Sequence, residues 1–245
     1  MTKTTNWFDQ LLQNLIIDSE KHELQPYLSQ KFGYHLVQLG ADTKDQLLTS
    51  SLIQHRVCIV RSDQINPTPL PKIQADYEEL PLLSDSIDLI VLSHILEENV
   101  ANEAILSEVW RVLIPQGQAV ILGFNYYSFW RLARLSKKLD TRFEGHLRFQ
   151  KPWLIHQSLL KQGFEILAYK TFCYRPPLIH PNSLRRLRFM ESLAHFCWPF
   201  GGAMYLFVVK KTVTTLTPIR PSWHLKEVAH AKGVVQPSRR NFISE

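Results

Sequence analysis

The chain has 245 residues, 45% of them hydrophobic and 20% charged, with a net charge of +6. That is enough apolar material for one sizeable core and too little charge for a disordered chain. No run approaches the ~20 apolar residues of a membrane span, and the start, MTKTTNWFDQ, has none of the segments of a secretory signal, so a cytoplasmic protein is expected.

In chain order, Trp7, Phe8, Leu11, Leu12, Leu15 and Ile16 recur at helical spacing behind a Thr5 or Asn6 cap. Pro26 suits the first turn of a second short helix ending near Gly33. The run 34–40, YHLVQLG, reads as a buried strand, and Thr43 with Gln46 forms a capping box for a helix after it. RVCIV (56–60) is a second strand, KIQAD (72–76) a shorter third and SIDLIVLS (86–93) a fourth. NEAILSEVWRVL places Ile105, Val109 and Val112 on one helical face, with Pro115 and Gly117 as its stop. QAVILGF (118–124), EILAYKTFCY (165–174) and AMYLFVVKK (203–211) complete seven strands. Helices precede the last two of these strands, one closed by Gly163 and one in PNSLRRLRFMESLAHF. Strands alternating with helices imply parallel pairing in a doubly wound α/β sheet, and a chain ending on a strand permits a last strand inserted antiparallel.

Three units follow from the pattern: a helical segment at 1–33, the α/β domain at 34–211 with a lid-like insertion at 126–151, and an extended polar, basic tail at 212–245. Cys58, Cys173 and Cys197 are far apart, and no C-x-x-C or H-E-x-x-H is present, so no metal site is expected. The mild basicity suits an anionic partner (nucleic acid, anionic lipid or a small molecule) or a solvated surface.

The block 76–121 resembles the central part of class I S-adenosylmethionine (SAM)-dependent methyltransferases. The matching pieces are Asp76 ahead of Leu80-Pro81, Ser86-Ile87-Asp88-Leu89 opening strand four, His94 to Glu97 after it, and Arg111 to Gly117 leading into strand five. GFNYYSFWRLARL, the RPP at 175–177 and GGAMYLFVVKK are similar to the YafS-like branch of bacterial methyltransferase-like proteins. The resemblance implies a seven-stranded sheet of order 3-2-1-4-5-7-6 with strand seven antiparallel, helices on both faces, and SAM across the carboxyl ends of strands one to four.

It also implies roles for particular residues. The turn after strand one is Gln38-Leu39-Gly40-Ala41-Asp42-Thr43-Lys44. Gly40 matches the first cofactor glycine, Asp42 and Lys44 stand where two more are usual, and Gln38 replaces an acid. The alternative for Gly40 is a plain strand-to-helix turn. At the end of strand two a carboxylate should accept from the ribose hydroxyls. Arg61 has no acceptor, which leaves Asp63 either in that role or as a solvated loop acid. Asp76 can accept from the adenine amino group while Tyr77 donates its backbone N–H or covers the ring. Asp88 reads as structural.

Ser93 and His94 follow strand four, beside the expected methyl group. His94 is either a general base or a turn histidine bonded to Glu97. Asn125, Tyr126, Trp130 and Arg131 lead into the insertion and are assigned to the acceptor, which remains unnamed and is expected to be anionic. The apolar stripe Phe129, Leu132, Leu135 and Leu139, with Arg131, Arg134, Lys137 and Lys138 beside it, covers a pocket, meets an anionic surface or packs on the domain. Two functions stay open: methyl transfer, and a SAM-fold binding or regulatory protein without turnover.

Overall fold

The structure, a computed structural model, describes residues 3–40, 47–61, 70–98, 102–128, 130–131, 149–174 and 200–213, with only the backbone described for 3–13. The strands are β1 (His35–Leu39), β2 (His55–Val60), β3 (Lys72–Gln74), β4 (Ile87–Ser93), β5 (Leu113–Phe124), β6 (Phe164–Phe172) and β7 (Met204–Lys211). They form one sheet of order β3-β2-β1-β4-β5-β7-β6. β1 to β5 pair in parallel, and β7 runs antiparallel to both neighbours.

Alternate residues of each central strand feed two separate cores, as a period of two dictates. Val37, Ile90, Leu92, Ala119, Ile121, Phe207 and Val209 lie on one face. They pack with Ile105, Leu106 and Val109 of α3 (Asn102–Val112) and Ile155 and Leu159 of α4 (Pro152–Lys161). Leu36, Leu89, Val91, Val120, Leu122 and Val208 lie on the other face, under Leu24 and Leu28 of α1 (Lys3–Ser29). A four-residue helix, α2 (Ile95–Glu98), follows β4.

Two predicted boundaries are corrected. α1 is one helix that contains Pro26 rather than two helices divided there. Pro26 lies near its end, and full burial of Leu24 and Leu28 on either side of it holds the last turns in register. The stop predicted at Pro115 and Gly117 belongs to a strand: α3 ends at Val112, and Leu113 already pairs with Ile87. The next pair is Leu89 with Gln118, so 114–117 bulge out, with Gln116 at φ 69°.

The end of α3 is instead satisfied from across the sheet. The buried Lys211 ammonium donates to the carbonyls of Trp110 and Leu113 and to Asp85, each at 2.7 Å. A cation at a helix C-terminus is favourable for dipole and hydrogen bonds alike. Asp88 is structural as expected: its Oδ2 accepts from the backbone N–H groups of Tyr34 and His35, both at 2.9 Å, and steers the chain into β1. Arg111 donates to the carbonyls of Leu80 and Leu82 and to Glu108, while Glu108 accepts from the Leu80 N–H, tying the loop before β4 to α3. Among the described residues no helix is long and apolar enough to cross a membrane, and no His/Cys/Asp/Glu group could hold a metal ion.

Candidate active site

The parallel strands end together where β1, β4 and β5 meet α1. Gly40 closes β1 at φ +110°, a conformation that side chains resist. A Cβ there would run into the Ser93 carbonyl and would crowd Ile95. The turn after β1 is therefore seated on the end of β4 by direct backbone contact. The bare α-carbon serves the fold whether or not a ligand approaches it.

Gln38 is fully buried, in register between Cys58 and Val91, on the strand face that carries Leu36. Neither its amide oxygen nor its amide nitrogen has a hydrogen-bond partner. Ala41 and Asp63 lie outside the described residues. Ser93 is buried beside Gly40.

His94, at φ 58°, turns the chain out of β4 and places its ring between two acids. Nε2 lies 2.5 Å from Oε1 of Glu20, on α1, and Nδ1 lies 3.1 Å from Oε1 of Glu97. That same Glu97 oxygen accepts from the Phe124 N–H, and the Phe124 ring lies 4.5 Å from the imidazole, centroid to centroid. Burial pushes the imidazole pKa down, but the charges of Glu97 and Glu20 and their hydrogen bonds outweigh it and hold His94 well above its ordinary value. Burial likewise raises Glu97, against the opposing pull of His94. Gly123 leaves room where a side chain would collide with the Tyr205 hydroxyl and Glu97. Burial first, then the Glu97 charge, pushes the Tyr205 hydroxyl well above its ordinary pKa. Glu97 Oε2 and the Tyr205 hydroxyl have no hydrogen-bond partner.

This arrangement bears on the base expected at His94. A general base needs a nitrogen free to take a proton, and both nitrogens here are engaged by carboxylates. The contact to Glu97 is the one expected from sequence. Glu20 was missed, because its partner lies 74 residues away. Its sequence signal is an acid at the same four-residue spacing as the buried Leu24 and Leu28.

The residues expected at the adenine end are set differently. Arg61, just past β2, donates to Asp76 at 2.5 Å, lies 3.5 Å from Glu78 and sits 5.3 Å from the centre of the Tyr77 ring. The Arg61 hydrogen bond holds the Asp76 carboxyl below its usual range. Tyr77 is buried, packed into the core that holds Leu80.

The residues expected to meet the acceptor are brought together around the end of β5. Asn125 is fully buried, donates to the carbonyls of Phe200 (2.7 Å) and Gly202 (2.9 Å), and accepts from the Tyr127 N–H at 3.0 Å. Trp130 is buried and stacks on Phe124. The Arg131 guanidinium lies 3.5 Å from the centre of the Tyr126 ring, and the Lys151 ammonium lies 5.2 Å from it. Tyr126 N–H donates to Gln150, and Gln150 N–H donates to Phe124, so the two ends of the 126–151 insertion are pinned together. Leu132, Arg134, Leu135, Lys137, Lys138 and Leu139 lie outside the described residues, as does Phe129.

Residues 39–121 match the family model described as a methyltransferase domain. The protein YafS of Escherichia coli (strain K12) is 29% identical over 241 residues, covering 96% of this chain and 92% of its own. The middle of the chain is thus similar to a methyltransferase domain, and the chain over nearly its whole length is similar to YafS. The fold agrees. A SAM-dependent methyltransferase from Thermotoga maritima superposes with a TM-score of 0.61 at 18% identity, covering 84% of this chain and 93% of its own. One from Archaeoglobus fulgidus gives 0.58 at 16% identity, covering 78% and 92%. The matched segment runs from the last residue of β1 into β5, and the buried acids around His94 stand at the carboxyl edge of those strands.

Proposed function

We propose that the protein transfers a methyl group from SAM to an acceptor, with SAM lying across the carboxyl ends of β1 to β4. The observation that carries this reading is the Gln38 amide, fully buried at the carboxyl half of β1 with both polar atoms unpartnered. Buried polar groups are nearly always paired, and an orphan calls for an explanation such as a missing ligand. An amide both donates and accepts, so it fits the polar methionyl end of SAM. When bound, SAM supplies an electrophilic methyl on a sulfonium. The chain's part is to hold the acceptor beside it in a dry setting, and the buried ends of β4 and β5 suit that task.

Gly40, Ala41 and Ser93 would line the cofactor beside Gln38. Asp63, Asp76 and Tyr77 would serve its ribose and adenine end. The acceptor would meet Asn125, Tyr126, Trp130 and Arg131, and the cations Arg131 and Lys151 on the Tyr126 ring favour an anionic one. Charge reversal at these two positions should weaken binding of an anionic partner, and less so at high salt.

The test is calorimetric titration with SAM alongside thermal melting, on the wild type and on Gln38→Leu. The variant should melt higher, by the equivalent of about 1 kcal/mol, because an unsatisfied amide is gone, yet bind SAM more weakly. A wild type that takes up no SAM ends the reading. Undiminished binding by Gln38→Leu removes Gln38 from the site.

One observation favours a second reading, a SAM-fold binding protein without turnover. The position after β2 that should present an acceptor to ribose holds Arg61, and Arg61 occupies Asp76. SAM binding without methyl transfer to any member of an acceptor panel separates the two.

A further inference from the structure

The outward face of α4 is apolar where a solvated helix would be polar. Ile155 and Leu159 are buried against the sheet, as the inner half of an amphipathic helix should be. On the outer half, Trp153, Leu154 and Leu160 are 61%, 45% and 53% exposed. Trp153, Gln157 and Leu160 follow one another at helical spacing, so they form one row along the surface. The apolar surface continues past the start of the helix. Lys151, which caps α4, holds its ammonium beside the Tyr126 ring, and that ring lies 5.5 Å from the ring of Tyr127. Tyr127 and Phe200 are both exposed, and both are held through their backbones by Asn125 at the end of β5. One exposed apolar side chain is ordinary, whereas a group of them marks an interaction surface.

Charge selects the occupant. Arg131 and Lys151 lie over the same tyrosine ring, and among the described residues neither meets a carboxylate. Glu103, an acid beside α4, is already matched by Lys161 at 2.9 Å. Two-fold self-pairing sets a patch against itself, and this patch offers no acid to its own cations. Nucleic acid would match the cations and stack on the aromatic rings, but it gains nothing from Leu154 and Leu160. An anionic bilayer suits all three kinds of side chain. Aromatic rings settle at the headgroups, leucines enter the acyl boundary, and cations meet the lipid phosphates.

We propose that the outer face of α4, with Tyr127 and Phe200 beyond Lys151, is a docking surface for an anionic phospholipid bilayer. The helix lies along the membrane surface, and no helix among the described residues is long and apolar enough to cross it. This surface does not depend on the methyl-transfer reading, and its test needs no SAM.

The experiment is flotation of the full chain with two kinds of vesicle, phosphatidylcholine alone and phosphatidylcholine with phosphatidylglycerol in equal parts. Wild type should bind the mixed vesicles at least about tenfold more tightly than the neutral ones. The double variant Trp153→Ser, Leu160→Ser should bind the mixed vesicles about tenfold less tightly or worse, by a similar factor at low and high salt. Lys151→Glu should lose several-fold at low salt and little at high salt, because exposed charges are screened there. All three side chains are exposed, so the variants should melt as the wild type does. If the double variant does not fold, Leu154→Ser decides. Binding that ignores phosphatidylglycerol, or a double variant that floats like the wild type, overturns the proposal. Wild type that floats with neither vesicle also overturns it. In that case a dimer lost in the double variant gives the face to a second copy, and single-stranded RNA binding lost in Lys151→Glu gives it to nucleic acid.

Discussion

Two ionic contacts in this molecule have the same length and opposite settings. His94 meets Glu20 at 2.5 Å and Arg61 meets Asp76 at 2.5 Å. The first pair has side chains 20% and 3% exposed, the second 43% and 58%. In water an ion pair gives up nearly as much solvation and side-chain freedom as it gains, so the Arg61–Asp76 bridge contributes little to stability. In the interior each partner is obligatory, because removing one leaves the other as an uncompensated charge. Distance therefore says little about the weight of a polar contact, and burial says most of it. Within one candidate site, the His94 end is built into the fold and the Asp76 end is laid on its surface.

The strongest way to break this contrast is at the buried end. Gly40→Val should cost the fold itself rather than only a ligand, because φ +110° and the Ser93 carbonyl both oppose a branched side chain. A loss of several kcal/mol is expected, of the order ~3 or more, seen as a lost or strongly lowered melting transition by circular dichroism. A normally folded Gly40→Val would show that the β1–β4 contact is slack.

Next comes His94→Ala, which leaves two buried carboxylates facing each other and should destabilise by about 3–5 kcal/mol in denaturant unfolding. Asp76→Ala, its exposed counterpart, should leave the denaturation midpoint unchanged within error. Equal effects at the two positions would erase the distinction.

A smaller effect should appear with pH. His94 has a raised pKa in the folded state, so its contribution is fully present below its ordinary value of 6.5 and is lost as pH climbs toward the folded value. Glu97 is raised too, from 4.5, and acts in the same sense, since the native state holds protons that the unfolded chain releases. Melting temperature should fall as pH rises above neutrality, and Glu20→Gln should flatten the slope. A slope that is unchanged in the variant would place the titration elsewhere.

The smallest effect expected is on cofactor binding at the exposed end. Asp76 shares its oxygens with Arg61, so Asp76→Ala should weaken SAM by only about threefold. A loss of two orders of magnitude would make Asp76 the anchor of the adenine and the Arg61 bridge incidental.

Much of the fold was legible from local pattern. Short apolar runs in 34–40, 56–60, 86–93 and 203–211 mark strands that are covered on both faces of the sheet and therefore buried along most of their length. Arg111 and Asp88 could be placed by resemblance, and each proves to hold a loop or a turn at the domain's entrance. The boundaries at Pro26 and at 114–117 went wrong for a shared reason. Both are residues with strong local preferences that tertiary packing overrode, once by burying Leu24 and Leu28 and once by pairing Leu113 with Ile87.

The chain alone determined what depends on a window of a few residues: the apolar runs of the strands, the helix face of Ile105, Val109 and Val112, and the motif from Asp76 to Gly117. It could also say that Arg61 is chemically unfit for ribose, since a guanidinium accepts nothing. Only the tertiary structure decided which groups meet across the chain. Glu20 reaches His94 over 74 residues, and Lys211 reaches Leu113 over 98. Those meetings depend on which helix docks on which strand and in what register. Docking is a matter of shape and burial summed over the whole core, and no short stretch of sequence carries it.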